Sequence, residues 1–239
     1  MSDSRIEWLG DCALLLRLGS GIDATLNART HVAAHALRAA NLPGVVDIVP
    51  AYASLAVHYD PMVWHDAESE SLPGERLAER VLALIDSIDL VGKRDAAESK
   101  QRIVEIPVCY GGDGGPDLAD VARLAKLDER EVIARHAAGS YRVAMLGFAP
   151  GFPYLLGLDR TLHTPRRANP RTRVPAGSVA IGGAQTGIYP RELPGGWQII
   201  GCTPLALFDA ARDPPALLAP GQHVRFRAID ADEFARLKS

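Results

Sequence analysis

The chain has 239 residues, enough at roughly 150 residues per domain for one large domain or two small ones, each able to bury a core. Lys plus Arg number 26 against 29 Asp plus Glu, a net charge of −3, which excludes a surface built throughout for nucleic acid. At 47% hydrophobic and 23% charged residues the composition is that of a folded globular chain, not a disordered one.

Leu14, Leu16 and Leu18 alternate as one face of a strand that Gly19 and Gly21 close. Ile22, Leu26, Ala33, Leu37 and Ala40 then fall at helical spacing. Short strands are predicted over residues 45–49 and 53–59, the second ended by the Asp60-Pro61 turn. Leu77, Val81, Leu84, Ile85 and Ile88 mark a second helix, entered after Pro73. This order predicts a small α/β sandwich over residues 1–91. Residues 92–101, polar and aperiodic, read as a linker.

A strand is predicted over residues 102–110, followed by helices over 116–126 and 128–138, the second opened by Asp128 with Glu131 three residues on. From Tyr141 the texture changes. Short β-rich runs (141–148, 178–182, 197–200, 224–229) alternate with Pro- and Gly-dense stretches, the pattern of a barrel or sandwich. The fold class is therefore α+β: an N-terminal α/β domain followed over 102–239 by a β-barrel with a helical insertion.

Cys12, Cys109 and Cys202 lie far apart without a Cys-x-x-Cys pair, so neither a disulfide framework nor a zinc ribbon is readable. The N-terminus has no basic patch before an apolar core, and no apolar run approaches the roughly 18 residues of a membrane span. A soluble, cytoplasmic protein is expected.

Several segments are candidates for chemistry. Residues 111–115, GGDGG, stand between a strand and a helix where a phosphate loop would sit, but lack the Gly-Lys-Ser/Thr ending and carry an acid. His31 and His35 are four apart on a helix without a third ligand, so no metal site is expected. The helix pair over 116–138 opens its second helix with acids, which opposes DNA binding. His136 ends that helix, where it complements the dipole or serves as an acid–base group.

The strongest local feature is TPRRANPRTRVP, residues 164–175, with Arg166, Arg167, Arg171 and Arg173 inside eight residues. Prolines restrict this backbone, so the guanidinium forks are either pre-organised for a carboxylate or phosphate ligand or salt-bridged within a loop. Residues 147–154 (GFAPGFPY) and 194–197 (PGGW) combine aromatics with turn formers. They either offer contact area to a ligand or partner or cap a barrel end.

GFAPGFPYL, TPRRANPRTRVPAGSVAI, QTGIYP, PGGWQIIGCTPLALFD and PGQHVRF, in this order, resemble the family that holds the 5-oxoprolinase component PxpB, the kinase inhibitor KipI and allophanate hydrolase subunit 1. The resemblance implies that the C-terminal barrel is cyclophilin-like, without implying prolyl isomerase activity. It also implies a protein that works with a homologous second component, similar to allophanate hydrolase subunit 2, and with a lactam hydrolase in ATP-dependent conversion of 5-oxo-L-proline to L-glutamate. Phosphorylating the amide oxygen would activate the lactam, which needs positive charge aimed at phosphate and substrate carboxylate.

ATP and Mg²⁺ are the implied cofactors, held at a site completed by the partner. On this resemblance His136, Arg166 and Arg171 take catalytic roles. Phe148, Pro150, Gly151, Tyr154, Arg167, Arg173, Thr186, Tyr189, Gly195, Gly196 and Trp197 bind substrate, nucleotide or partner. The alternatives within the family are an inhibitor that binds a sensor histidine kinase and a component of an allophanate hydrolase or urea carboxylase.

Overall fold

The alternation at Leu14 and Leu16 and the helical apolar spacing that follows it meet in one core. In the computed structural model, which describes residues 5–88 and 103–238, the chain divides into two units, Met1–Lys100 and Gln101–Ser239. The linker expected over 92–101 lies outside the described residues.

The first unit contains β1 (Arg5–Trp8), β2 (Ala13–Arg17), α1 (Ala24–Ala40), β3 (Val45–Pro50), β4 (Ser54–Tyr59), α2 (Pro61–Trp64) and α3 (Pro73–Asp86). Its strands form an antiparallel sheet in the order β1-β2-β4-β3. Leu14, Leu16, Leu55 and Val57 share a core with Ala33, Ala34 and Leu37 of α1 and Leu77, Val81 and Ile85 of α3. Asp23 caps α1 by accepting from the Leu26 N–H at 2.7 Å, and Asn41 ends it in the left-handed region. Strand β1 and the one-turn α2 are additions to the predicted order. Four residues ending in a half-exposed Trp8 leave no readable alternation.

The second unit contains β5 (Val104–Tyr110), α4 (Leu118–Ala125), α5 (Glu129–Ala138), β6 (Tyr141–Leu146), β7 (Pro153–Leu156), β8 (Arg171–Val174), β9 (Ser178–Gly182), β10 (Gln185–Ile188), β11 (Leu193–Gly195), β12 (Gln198–Cys202), β13 (His223–Ile229) and α6 (Ala231–Lys238). Seven strands close a barrel in the order β10-β7-β6-β13-β5-β12-β9, and β8 pairs with β11 as a separate ribbon. The β-barrel and its helical insertion, α4 and α5 between β5 and β6, are as the sequence predicts. Asp128 caps α5 through the Glu131 N–H at 2.8 Å. Strands β7, β8, β10 and β11 are not readable from the sequence, because three or four residues, with Gly or Pro inside β7, β10 and β11, carry too little periodicity.

Ile106, Val108, Val143, Leu155, Val179, Ile181, Val224 and Phe226 belong to one apolar core within this unit. A second cluster, Phe152, Val174, Ala180, Tyr189, Trp197 and Ile199, involves the β8/β11 ribbon and takes in Phe152, Val174 and Trp197 of the motif segments. No helix among the described residues is long and apolar enough to cross a membrane.

Candidate functional site

The arginine loop is organised by a carboxylate that sequence reasoning missed. Asp117, just before α4, is 2% exposed. Its Oδ1 accepts from Arg167 Nη1 at 2.7 Å and Arg171 Nη2 at 2.8 Å, and its Oδ2 from Arg171 Nη1 at 2.8 Å and the Ile199 N–H at 2.7 Å. Its own N–H donates to the Ile199 carbonyl at 2.9 Å. Burial pushes the Asp117 carboxyl up, but the bonds from Arg171 and Ile199 and the two guanidinium charges together hold it below the ordinary carboxylate value. Four arginines within eight residues of a charge-balanced chain were the available signal that a buried counter-ion exists.

Arg167 and Arg171 therefore act as anchors of the loop, the salt-bridged alternative open at the sequence level, and not as free anion donors. The Arg167 N–H also donates to the Gly196 carbonyl at 2.7 Å, and Gln198 Nε2 to the Pro165 carbonyl at 3.0 Å, tying the loop to the PGGW turn. Arg173 lies on the surface, 3.5 Å from Glu192. Arg166 differs from all three. It is exposed, forms no ion pair among the described residues, and lies with Cζ 5.8 Å from the Trp197 ring centroid. Its charge also reaches the Tyr154 and Tyr189 hydroxyls, countering the upward push of burial on each.

The aromatics of the GFAPGFPY and PGGW segments form one cluster around Phe152. Its ring centroid stands 5.4 Å from Phe148, 4.9 Å from Tyr154, 5.2 Å from Tyr189 and 5.7 Å from Trp197, mostly edge to face. Phe152 and Tyr189 are each 2% exposed and Trp197 5%. The contact area expected of Trp197 is thus turned inward, because the ring fills the space over Gly182, where a Cβ would come within 2.5 Å. Gly195 likewise makes room for the Tyr189 hydroxyl, and Gly151, with φ of +79°, for Phe208.

Phe148 is the exception. It is 59% exposed, next to exposed Pro150, and holds a left-handed φ of +68° that a bulky residue rarely adopts. Exposed Phe148 and exposed Arg166, the latter with no ion-pair partner among the described residues, are the parts of this cluster open to a ligand or partner.

His136 and Thr186 meet elsewhere, within the barrel. His136 is fully buried, and its Nδ1 lies 2.8 Å from Tyr110 Oη and its Nε2 3.0 Å from Thr186 Oγ1. Thr186 donates its own proton to the Ala180 carbonyl at 3.0 Å, so it accepts from His136, which fixes the Nε2–H tautomer and makes Tyr110 the donor to Nδ1. Burial lowers the His136 pKa to about 3, and Phe226 stacks 4.5 Å away. A neutral ring with both nitrogens engaged inside the barrel has no open route to substrate. Its geometry suits holding α5 to the barrel better than the acid–base role expected of it.

The GGDGG loop does not fit a triphosphate. The Gly111 N–H is taken by the Ile200 carbonyl at 3.0 Å and the Gly115 N–H by the Gly112 carbonyl at 3.2 Å, while Asp113 stands exposed at its tip. Among the described residues no three His, Cys, Asp or Glu side chains group as metal ligands.

Three similarities bear on this arrangement. The chain is 44% identical over 236 residues, 98% of its length and 96% of the relative's, to the B subunit of 5-oxoprolinase from Bacillus subtilis (strain 168). The solved structure of TTHA0988 matches at 39% identity with a TM-score of 0.75 over 92% of this chain, which spans 40% of that one. The urea amidolyase of K. lactis, at 20% identity and a TM-score of 0.72 over 98% of this chain and 15% of that one, shares the fold. A family model described as carboxyltransferase domain, subdomain C and D, matches residues 4–218, and the chain belongs to that family.

Proposed function

We propose that this protein is the B component of an ATP-dependent 5-oxoprolinase. It acts with a homologous second component and a lactam hydrolase to convert 5-oxo-L-proline, ATP and two waters to L-glutamate, ADP and phosphate. The near full-length similarity to the B subunit of such an enzyme supports the reading. The observation that carries it at the residue level is Arg166. It is an exposed guanidinium without an ion-pair partner among the described residues, set over Trp197, whose charge bears on Tyr154 and Tyr189.

In this reading the planar fork of Arg166 takes the carboxylate of 5-oxoproline, and Phe148 with Pro150 covers its apolar ring or seats the partner. Arg167 and Arg171 hold the loop rigid through Asp117, and Tyr154, Tyr189, Gly195, Gly196 and Trp197 set where Arg166 stands. Arg173 and Thr186 bear on partner contact and barrel packing respectively. The nucleotide and Mg²⁺ are held at a site that the partner completes.

The test is a three-component mixture with ATP and Mg²⁺, assayed for glutamate and ADP with each component omitted in turn. Activity should require this chain. ATP-dependent glutamate formation that persists without it would overturn the assignment. The Phe148 face would then be left as the docking surface of a binding module, such as an inhibitor of a sensor histidine kinase.

A further inference from the structure

We propose that Cys109 and Cys202 are a redox pair that closes, on reaction with a peroxide, into an intramolecular disulfide joining β5 to β12. Along the chain the two cysteines stand 93 positions apart, and nothing local marks them as a pair. The barrel places them directly opposite one another, because β12 runs antiparallel to β5 with Gly201 facing Tyr110 and Cys202 facing Cys109. Opposite residues in such a ladder project from the same face with Cα atoms about 4.5–5.5 Å apart, inside the range of about 4.4–6.8 Å that a disulfide spans. Both thiols are free and partly exposed, so a small oxidant can reach them.

Two glycines pack against Cys202. A Cβ on Gly114 would stand 3.2 Å from Cys202 Cβ, and one on Gly177 would stand 3.2 Å from Cys202 Sγ. Glycine at both positions keeps side chains away from the sulfur. At present Cys202 Sγ is held only by weak contacts, 3.8 Å to the Ala176 carbonyl and 3.6 Å to the carbonyl of its neighbour Thr203. A rotation about χ1 frees it. Burial pushes the Cys202 thiol up, which disfavours it as the thiol that first attacks peroxide.

In the first step Cys109 sulfur attacks hydrogen peroxide. An S–O bond forms, the O–O bond breaks and one water leaves, giving a sulfenic acid. Cys202 then displaces the hydroxyl as a second water and the S–S bond forms. Peroxide is reduced, and the two thiols are oxidised by the same two electrons. The β5/β12 seam is short, with two facing pairs, and β12 carries the Ile199 N–H that supports Asp117. A crosslink there holds the strand on which the arginine loop depends.

The test treats the purified full chain with equimolar hydrogen peroxide, then blocks remaining thiols and maps the peptides. The expected result is a monomer lighter by two hydrogens, a Cys109–Cys202 linked peptide, Cys12 still free, and full reversal by dithiothreitol. The unfolding temperature should rise by about 5–10 °C on oxidation. The rise should persist in Cys12→Ser and vanish in Cys109→Ser and Cys202→Ser. Separate sulfinic acids at Cys109 and Cys202, or oxidation of Cys12 while that pair stays reduced, would overturn the proposal. Peptide mapping of the wild-type chain decides it even if a serine variant folds poorly.

Discussion

Arg171 donates from both terminal nitrogens to both oxygens of Asp117, at 2.8 Å each, across 54 residues of sequence. Because the carboxylate is buried and also accepts from Arg167 and the Ile199 N–H, it joins three segments: the entry to α4, the arginine loop and β12. Removing its charge strands two guanidiniums that remain partly solvated. Asp117→Asn should therefore cost about 2–4 kcal/mol of unfolding free energy, read from denaturant titration. Arg171→Lys, which keeps the charge and loses the fork, should cost less. A loss within error for Asp117→Asn would show that the loop is held by its prolines alone.

Acid should act on two groups, in windows that overlap only between 3.8 and about 3. His136 has a folded pKa of about 3 against an ordinary 6.5, so the neutral ring contributes stability that is fully present above 6.5 and is lost as pH falls toward 3. Unfolding free energy should drop by about 1.4 kcal/mol per pH unit within that window. His136→Gln should flatten the slope. Asp117 also has a depressed folded pKa, so its contribution is present above the ordinary 3.8 and is lost only below it, as pH falls through the folded value. Asp117→Asn should reduce, without abolishing, the pH dependence of stability below 3.8 and leave the slope between 6.5 and 3.8 in place.

Arg166 is exposed and has no ion-pair partner among the described residues, so Arg166→Ala should change stability by no more than about 0.5 kcal/mol. The same change should lower activity in the three-component mixture by a factor of about ten or more, and Arg166→Lys should recover only part, on the order of 1–3 kcal/mol being tied to the planar fork. Equal activity of all three proteins would remove Arg166 from substrate binding.

Trp197 and Phe148 should separate folding from function. Trp197→Ala removes a large buried ring from the aromatic cluster and should cost about 3–5 kcal/mol of stability, so its loss of activity follows its loss of fold. Phe148→Gly relieves a left-handed backbone and should leave the unfolding free energy unchanged or raise it by about 1 kcal/mol. Its activity, or its co-elution with the homologous second component on size exclusion, should fall. A Phe148→Gly protein as active as the wild type would mean that the exposed ring has no partner.

Local chemistry was enough to determine the main elements of the first unit from the alternation at Leu14 and Leu16 and the spacing at Leu77, Val81 and Ile85. It was also enough to place the α5 cap at Asp128 and the β-rich character after Tyr141. Each of these depends on residues a few positions apart, whose burial follows the periods of helix and strand. The motif segments 147–154, 164–175 and 194–197 were likewise legible as a candidate site.

Which arginine is free was not legible. Arg166 and Arg167 are neighbours of the same chemistry, and only the closed barrel puts Asp117 within reach of one and Trp197 beneath the other. The same holds for Trp197 turning inward, for His136 losing its proton, and for Cys109 meeting Cys202. In every case the deciding partner lies far along the chain, and strand register and packing, not local propensity, select it.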